Sequence, residues 1–559
     1  VRTRGIRSIA VLAVALLGPE AALAQREEDG ASIAHEPRPL DVRAPLDTPA
    51  LRPTSPGARV RRALFVSVQV NVDANGENIV GDAANEPSIA PGELDPANLV
   101  IGWRQFDTID SSFRQAGQAY SFDRGRGWAA RTLDPGVFRS DPVLRAGPGG
   151  EFYYSSLRIE PDYETDIFRS EDGGVTWLGP YYSFGGDKQW ISVDLTDGPG
   201  RGNVYQHWDN ASPFGRKFAR SFDRGFTWDG PVDGSSDWGQ QTTLPDGSVC
   251  ITNGRNTSTV IRLIDTSDPD TAPTVASTTE TGLRLGGFSD LDSVNPDGLI
   301  GQGNISSDHS GGPARGNIYV VGTGDYDDSG GIDYNIAFVR STDGNLSYSA
   351  PVFPHGPAAG HQWFGTMSVA PGGRIDLVWN DTRNDPVDPW EPDTSELFYT
   401  CSLDAGETWL PAIPVSPPFE HRLGFPGQNK LGDYYDAHSD DLGVDVAYAA
   451  TFNGEQDVYY LRVGTADCNA NGIPDEPEIA MGLAADDDGD GWIDACHCTA
   501  DFNHDGAVDT QDFIAFLNTW AAERTLDCSG GGCLADLDGN GVVDTQDFIV
   551  FLNAWAGGC

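Results

Sequence analysis

Two stretches near the C-terminus set oxygen-bearing side chains at the spacing of metal ligands. They read Asp501-x-Asn503-x-Asp505-Gly506-x-x-Asp509-x-x-Asp512 and Asp536-x-Asp538-x-Asn540-Gly541-x-x-Asp544-x-x-Asp547. Oxygen ligands at loop positions 1, 3, 5, 9 and 12, with Gly at 6 for a sharp turn, are what a hard, oxygen-seeking cation requires, and Ca2+ is the expected ion. A second group of candidates is spread over hundreds of residues: Glu86, Arg104, Asp141, Asp187, Lys188, Trp238, Arg255, His361, Arg383, Asp433 and Tyr434. Paired carboxyl groups can cleave a glycosidic bond, and guanidinium groups can hold an anionic substrate by charge-assisted bonds. These residues act together only if the fold gathers them.

The elements that would do so are legible as repeats. Each metal loop leads into an apolar set at helical spacing, Phe513, Phe516, Leu517 and Trp520 after the first and Phe548, Phe551, Leu552 and Trp555 after the second. This predicts two helices packed on one another. Upstream, the pattern S-x-D-x-G-x-T-W stands at 170–177, 221–228 and 402–409, with Gly127 in place of Thr at 121–128 and a worn copy at 341–348. An Asp in such a turn accepts backbone N–H bonds, Gly supplies positive φ, and Trp fills the gap between neighbouring sheets. Seven hairpins of short strand, Gly/Pro-rich turn and apolar strand follow one another, at 88–103, 143–154, 191–208, 241–253, 304–322, 367–380 and 435–452. They predict an all-β, seven-bladed β-propeller, with six blades as the alternative because the pattern fades between 255 and 300. The last copy has three strands, and the run 64–70 supplies its fourth and closes the ring. In that geometry the loops before each inner strand and after each second strand open on one face. Glu86, Asp141, Asp187, Lys188, Trp238, His361, Asp433 and Tyr434 then converge with Arg104, Arg255 and Arg383 at one mouth.

The eight-residue turns resemble the Asp boxes, or BNR repeats, of bacterial sialidases and related propellers. The resemblance implies that the turns are scaffold, on the face away from the funnel. It also implies a site in which Tyr434 is the nucleophile, Glu86 or Asp141 the acid, and Arg104, Arg255 and Arg383 the clamp on a substrate carboxylate. The F/Y-R-I-P motif that carries the first arginine of that family is absent, and sialidases have six blades. Two readings therefore stay open. One is a propeller that binds extracellular glycan or glycoprotein. The alternative is a glycoside hydrolase, exo-sialidase-like or otherwise polysaccharide-degrading. The tail, with its TQDFI(A/V)FLN(T/A)WA repeats and terminal Gly-Gly-Cys, resembles the GC-type dockerin domains of planctomycete secreted proteins. That implies docking to a cohesin-like or cell-surface partner, with Thr510-Gln511 and Thr545-Gln546 as the reading positions. The acidic runs at 467–475 and 486–494 resemble thrombospondin type 3 calcium repeats and imply a stiff, calcified linker.

Composition frames these expectations. The 559 residues hold 68 Gly, 37 Pro and 14 Trp but only 2 Met, which suits an all-β chain with many turns. A formal charge of −47 argues against nucleic acid or anionic lipid as the main partner. Arg2, Arg4 and Arg7, an apolar run over 9–17 and Ala22-Leu23-Ala24 predict a secretory signal over 1–24, and the initial Val points to an alternative start codon and a bacterial source. A Pro-rich spacer is expected over 25–63, the propeller over 64–465, the linker over 466–498 and the dockerin-like unit over 499–559. Six of eight cysteines lie after residue 467, which predicts disulfides and export. Cys250 and Cys401 are read as apolar packing.

Overall fold

The computed structural model describes residues 54–557 apart from 110, 160–161, 210–211, 233, 235–237, 255, 287–293, 328–331, 424–429, 487–488, 490, 497, 504–507, 527 and 529–532. The expected signal and most of the expected spacer lie outside the described residues. The chain forms a seven-bladed β-propeller, each blade an antiparallel meander running outward from the axis. Blade one comprises Ala83–Pro91, Leu99–Phe106, Gln115–Ser121 and Ala129–Thr132; blade two, Ser140–Ala146, Phe152–Arg158, Glu164–Ser170 and Leu178–Tyr182. Blades three, four, five and six begin at Trp190–Val193, Gln241–Thr243, Asn304–Ser307 and Gln362–Val369. The seventh is closed by both ends of the propeller: Asp436–Asp440, Gly443–Ala450 and Asp457–Val463 are joined by Phe65–Gln69, with Val68 opposite Tyr460. Arg59–Arg62 adds a fifth strand, and Thr54–Pro56 pairs with Glu77–Ile79. The expected spacer thus ends before residue 54, because Val60 and its neighbours find ladder partners that the Pro-rich composition did not reveal.

Burial follows the ring. Val70, Ala447, Val458 and Tyr460 of the closing blade pack with Ile89, Leu99 and Ile101 of blade one. Comparable clusters join blades one and two around Leu144 and Tyr154, and blades five and six around Phe338 and Trp379. Each sheet is therefore apolar on both faces and is stable only between neighbours.

The S-x-D turns follow the third strand of their blades and in four of the five lead into the fourth; in blade five, a three-stranded sheet, the turn leads only to a single bridge between Phe338 and Val352. In 170–177, Ser170 Oγ donates to Asp172 Oδ1 (2.9 Å) and accepts the Gly174 N–H (2.9 Å), while Asp172 accepts the Thr176 N–H (2.7 Å) and hydroxyl (2.6 Å). The worn copy keeps the same bonds, from Ser347 to Asp343. The blade-four connection between Ile264 and Thr274 has no such turn, and in blade seven the third and fourth strands come from opposite ends of the chain, so no turn joins them. This is why five copies serve seven blades. Gly125 is required twice over: its φ is 76°, and a Cβ there would lie 2.1 Å from the Tyr460 ring.

Trp177 packs edge-on to Tyr154 at 6.0 Å, and its indole N–H donates to Gly174 O, yet the side chain is only half-buried. Trp177→Ala should therefore cost roughly 2 kcal/mol, below the ~3–5 kcal/mol of a fully buried aromatic. Urea unfolding of the wild type and variant checks this.

Beyond the propeller the described residues hold three α-helices, α1 (Asp475–Ala480), α2 (Thr510–Glu523) and α3 (Thr545–Gly557), and a 3-10 turn at Asp494–Cys496. Phe516 and Phe551 stack in parallel at 4.2 Å between α2 and α3. Cys468–Cys496 and Cys528–Cys533 are disulfides, and Cys498 is disulfide-bonded as well. Cys250 and Cys401 are free and buried. No described helix is long and apolar enough to cross a membrane.

Candidate functional site

At the entrance to three inner strands the ladder bulges in the same way. Glu86-Pro87 opposes Trp103, Asp141-Pro142 opposes Ser156, and Phe364-Gly365 opposes Trp379, two residues against one. Pro87 and Pro142 have no N–H to give the ladder, which localises two of the bulges. The first residue of each pair is left-handed, with φ of 51°, 47° and 59°, and Lys188 repeats this at 53° in blade three. Such backbone costs about 1–2 kcal/mol per non-Gly residue, so the surrounding contacts must hold it.

Phe364 is held by packing against Trp363 and Tyr435, whereas at Glu86, Asp141 and Lys188 the contacts are ionic. Lys188 Nζ lies 2.8 Å from Asp433 Oδ2, 3.5 Å from Asp141 Oδ2 and 3.8 Å from Asp187 Oδ1. Lys430 Nζ reaches Asp433 Oδ2 at 2.8 Å and Glu86 Oε1 at 3.4 Å, and Arg104 Nη2 reaches Glu86 Oε1 at 3.1 Å. Asp433 Oδ1 also accepts the Leu299 N–H at 3.0 Å. Four carboxylates thus interleave with three cations, all at most 5% exposed at the side chain. Arg114, also buried, feels the fields of Asp141, Asp187 and Asp433.

The environment drives these acids apart. Burial raises Glu86 to about 7 against the opposing Arg104 and Lys430. Burial also pushes Asp187 well above the carboxylate range, with Asp141 and Asp209 adding like charge and Lys188 opposing. Burial acts on Asp141 too, but Lys188, Arg104 and a hydrogen bond from Ser140 overcome it and bring the group to about 2. Asp433, between Lys188 and Lys430, is held well below its usual value despite its burial. Such a split among acids is what acid–base chemistry uses, and it is also what a buried ion network produces.

Seven of the eleven propeller candidates are therefore adjacent: Glu86, Arg104, Asp141, Asp187, Lys188, Asp433 and Tyr434. The Tyr434 hydroxyl donates to Pro142 O at 2.9 Å, and its ring meets Trp190 edge-on at 5.3 Å. Burial holds its pKa well up. Trp238 packs with Leu299. His361 lies between Tyr334 and Trp390, with ring centroids at 5.3 and 5.7 Å. Arg383 is occupied by Asp381 at 2.6 Å and sits over Phe398. Arg255 lies outside the described residues. Sequence reasoning missed Lys430 and Arg114; the Lys430-x-x-Asp433 spacing was the available signal for the first. Off the axis, a cavity of about 210 Å³ is lined by Asn71, Asp82, Trp103, Gln105, Asp107 and Arg131.

In the tail, Asp536, Asp538 and Asp547 bring carboxylate oxygens within 4.8 Å of one another. Asp547 is fully buried and accepts the N–H groups of Asp538 (3.1 Å) and Asp544 (2.7 Å). Asp512 accepts those of Asn503 (3.1 Å) and Asp509 (2.7 Å) in the same way. Asn540 completes its loop by accepting the Val542 N–H, Asp501 heads the other, and Asp505 lies outside the described residues. Clustered oxygens held by backbone donors fit a Ca2+ ion.

Fold and site together define a seven-bladed propeller with a buried axial ion network and an acidic helical tail. No family model and no curated protein matches the chain. Solved structures similar to it include a protein of unknown function from Dyadobacter fermentans (12% identity, TM-score 0.39, covering 72% of this chain and 99% of that one). Trypanosoma rangeli sialidase in complex with the inhibitor DANA is another (12%, 0.34, 73% and 59%). A third is the GH74 xyloglucanase of Xanthomonas campestris (12%, 0.39, 71% and 58%). Similarity at this level assigns no activity.

Proposed function

We propose that this is an exported, calcium-stabilised propeller that binds extracellular glycan or glycoprotein at its funnel face, and that a dockerin-like tail anchors it to a cohesin-like or cell-surface partner. In this reading the S-x-D turns are Asp boxes and serve as scaffold. The observation that carries binding over hydrolysis is burial. Glu86, Asp141, Asp187 and Asp433 are at most 1% exposed and are engaged with Arg104, Lys188 and Lys430. Among the described residues this cluster offers water no free carboxylate pair, and the Tyr434 hydroxyl serves a main-chain carbonyl. A sugar-facing role falls instead to the loop 383–394, where Trp390 is 46% exposed beside His361 and its main-chain N–H donates to the Asp388 carboxylate at 3.0 Å. An aromatic face with acceptors beside it suits a sugar ring.

The test is incubation of the mature chain with a panel of sialosides and other glycosides, reading binding and product together. Binding without turnover is expected. Turnover that disappears in Asp141→Asn or Tyr434→Phe would instead establish the glycoside hydrolase.

A further inference from the structure

The loop after the second strand of blade six reads TRNDPVDPWEPD over 382–393, with Pro386, Pro389 and Pro392 each following an acid. Two tight turns follow one another in it. The Asp385 carboxylate accepts the N–H groups of Val387 (2.8 Å) and Asp388 (3.0 Å), the Asp388 carboxylate accepts that of Trp390 (3.0 Å), and Glu391 N–H returns to Asp388 O (3.2 Å). Asp first and Pro second are the residues such turns favour. The third position of each turn carries an apolar side chain, Val387 in one, 90% exposed, and the half-exposed Trp390 in the other.

The loop is closed on itself and fixed to the propeller. Asp385 Oδ2 also accepts the N–H groups of Asp393 (3.2 Å) and Thr394 (3.0 Å) and the Thr394 hydroxyl (2.7 Å). The Thr382 hydroxyl donates to Pro389 O at 2.8 Å, His361 Nε2 meets Trp390 O at 3.3 Å, and a Cβ on Gly360 would lie 2.5 Å from Pro389 O. The three prolines fix φ as well. Val387 and Trp390 are thus held in solvent by a loop whose shape is set before any ligand arrives, which lowers the ordering cost of binding.

Charge decides what this platform accepts. Asp388, Glu391 and Asp393 are exposed. Chain length alone keeps their Cα atoms within about 11 Å of that of Trp390, comparable with the ~8 Å Debye length at physiological salt. The loop's own guanidinium, Arg383, is committed to Asp381 (2.6 Å) and His355 O (3.2 Å), and Arg422 lies 3.8 Å from Asp393. Arg104, expected in a carboxylate clamp, is fully buried against Glu86. A sugar carboxylate would therefore meet like charge here, whereas an ammonium group would meet carboxylates and an aromatic face. We propose, resting on the glycan reading above, that the Trp390 platform recognises amino-sugar chains with free amines and rejects sialylated and uronic glycans.

The experiment uses the mature full chain and three ligands followed by titration calorimetry: a glucosamine tetramer with free amines, the same tetramer fully N-acetylated, and a uronic acid tetramer. The free-amine form should bind about tenfold more tightly than the N-acetylated one, the uronic acid should not bind, and the preference should shrink as salt is raised. Trp390→Ala keeps every charge and should weaken free-amine binding by about tenfold, which separates a platform from diffuse attraction by a chain of formal charge −47. Glu391→Gln should cost about threefold for the free-amine tetramer and nothing for the N-acetylated one. The proposal is overturned if the N-acetylated or uronic tetramer binds as tightly as the free-amine form, or if Trp390→Ala keeps the free-amine affinity; the glycan reading survives those outcomes. Absence of binding by all three and by the wider glycoside panel removes the glycan reading, and this proposal with it.

Discussion

Lys188→Met should destabilise the propeller by about 3–5 kcal/mol, as does breaking a buried ion pair by removing one partner. Lys188 is the cation shared by Asp141, Asp187 and Asp433, and methionine fills its volume without its charge. The loss should be measured by urea unfolding at several pH values, because its sign with pH is fixed. Asp141 and Asp433 are depressed in the folded state, Asp141 to about 2. Their stabilisation is present above the ordinary carboxylate pKa of roughly 4 and is lost as pH falls through the folded value. The gap between wild type and variant should therefore narrow on acidification toward pH 2–3. Adding Asp433→Asn to Lys188→Met should recover part of the loss, since the stranded charge goes too. A single variant as stable as the wild type at pH 7 would show that the network is not held by this lysine.

Asp547→Ala should abolish calcium-dependent folding of the tail while the propeller's own unfolding transition survives. Four carboxylates in 536–547 repel one another without a cation, and the helices depend on the loops. Trp520 Nε1 donates to Asp544 O at 2.6 Å, and Trp555 Nε1 donates to Asp509 O at 3.0 Å, so each helix is tied to the other's loop. Loss of one ion should then weaken the second site as well. Limited proteolysis with and without chelator provides the measurement: wild type protected in Ca2+ and cut between 501 and 557 in chelator, the variant cut in both. Protection of the tail in chelator would remove the calcium reading.

Features set by local pattern were legible in the sequence. The S-x-D turns needed only side chains within eight residues, and the observed Ser170, Asp172 and Thr176 bonds lie within that span. Hairpin count gave seven blades even through 255–300, where the missing turn between Ile264 and Thr274 had hidden the pattern. The closing strand was visible because Phe65–Gln69 is a largely apolar run ahead of the first hairpin repeat, while the last repeat holds only three strands of its own. The site was legible only as a set of residue types. His361 and Arg383 were grouped with Arg104 by their place after or before a strand, but local aromatic stacking and Asp381 hold them elsewhere.

The sequence by itself determined the repeat, the ring it must close and the spacing of oxygen ligands in the tail, because hydrophobic period, turn chemistry and loop ligand order are all short-range. Tertiary structure alone decided that Lys188 meets Asp433 across 245 residues, that Lys430 joins them, and that the group is buried and largely self-neutralised. Those pairings arise only when seven blades bring their inner strands to one axis, and the left-handed backbone at Glu86, Asp141 and Lys188 that aims the charges is affordable only inside that closed ring.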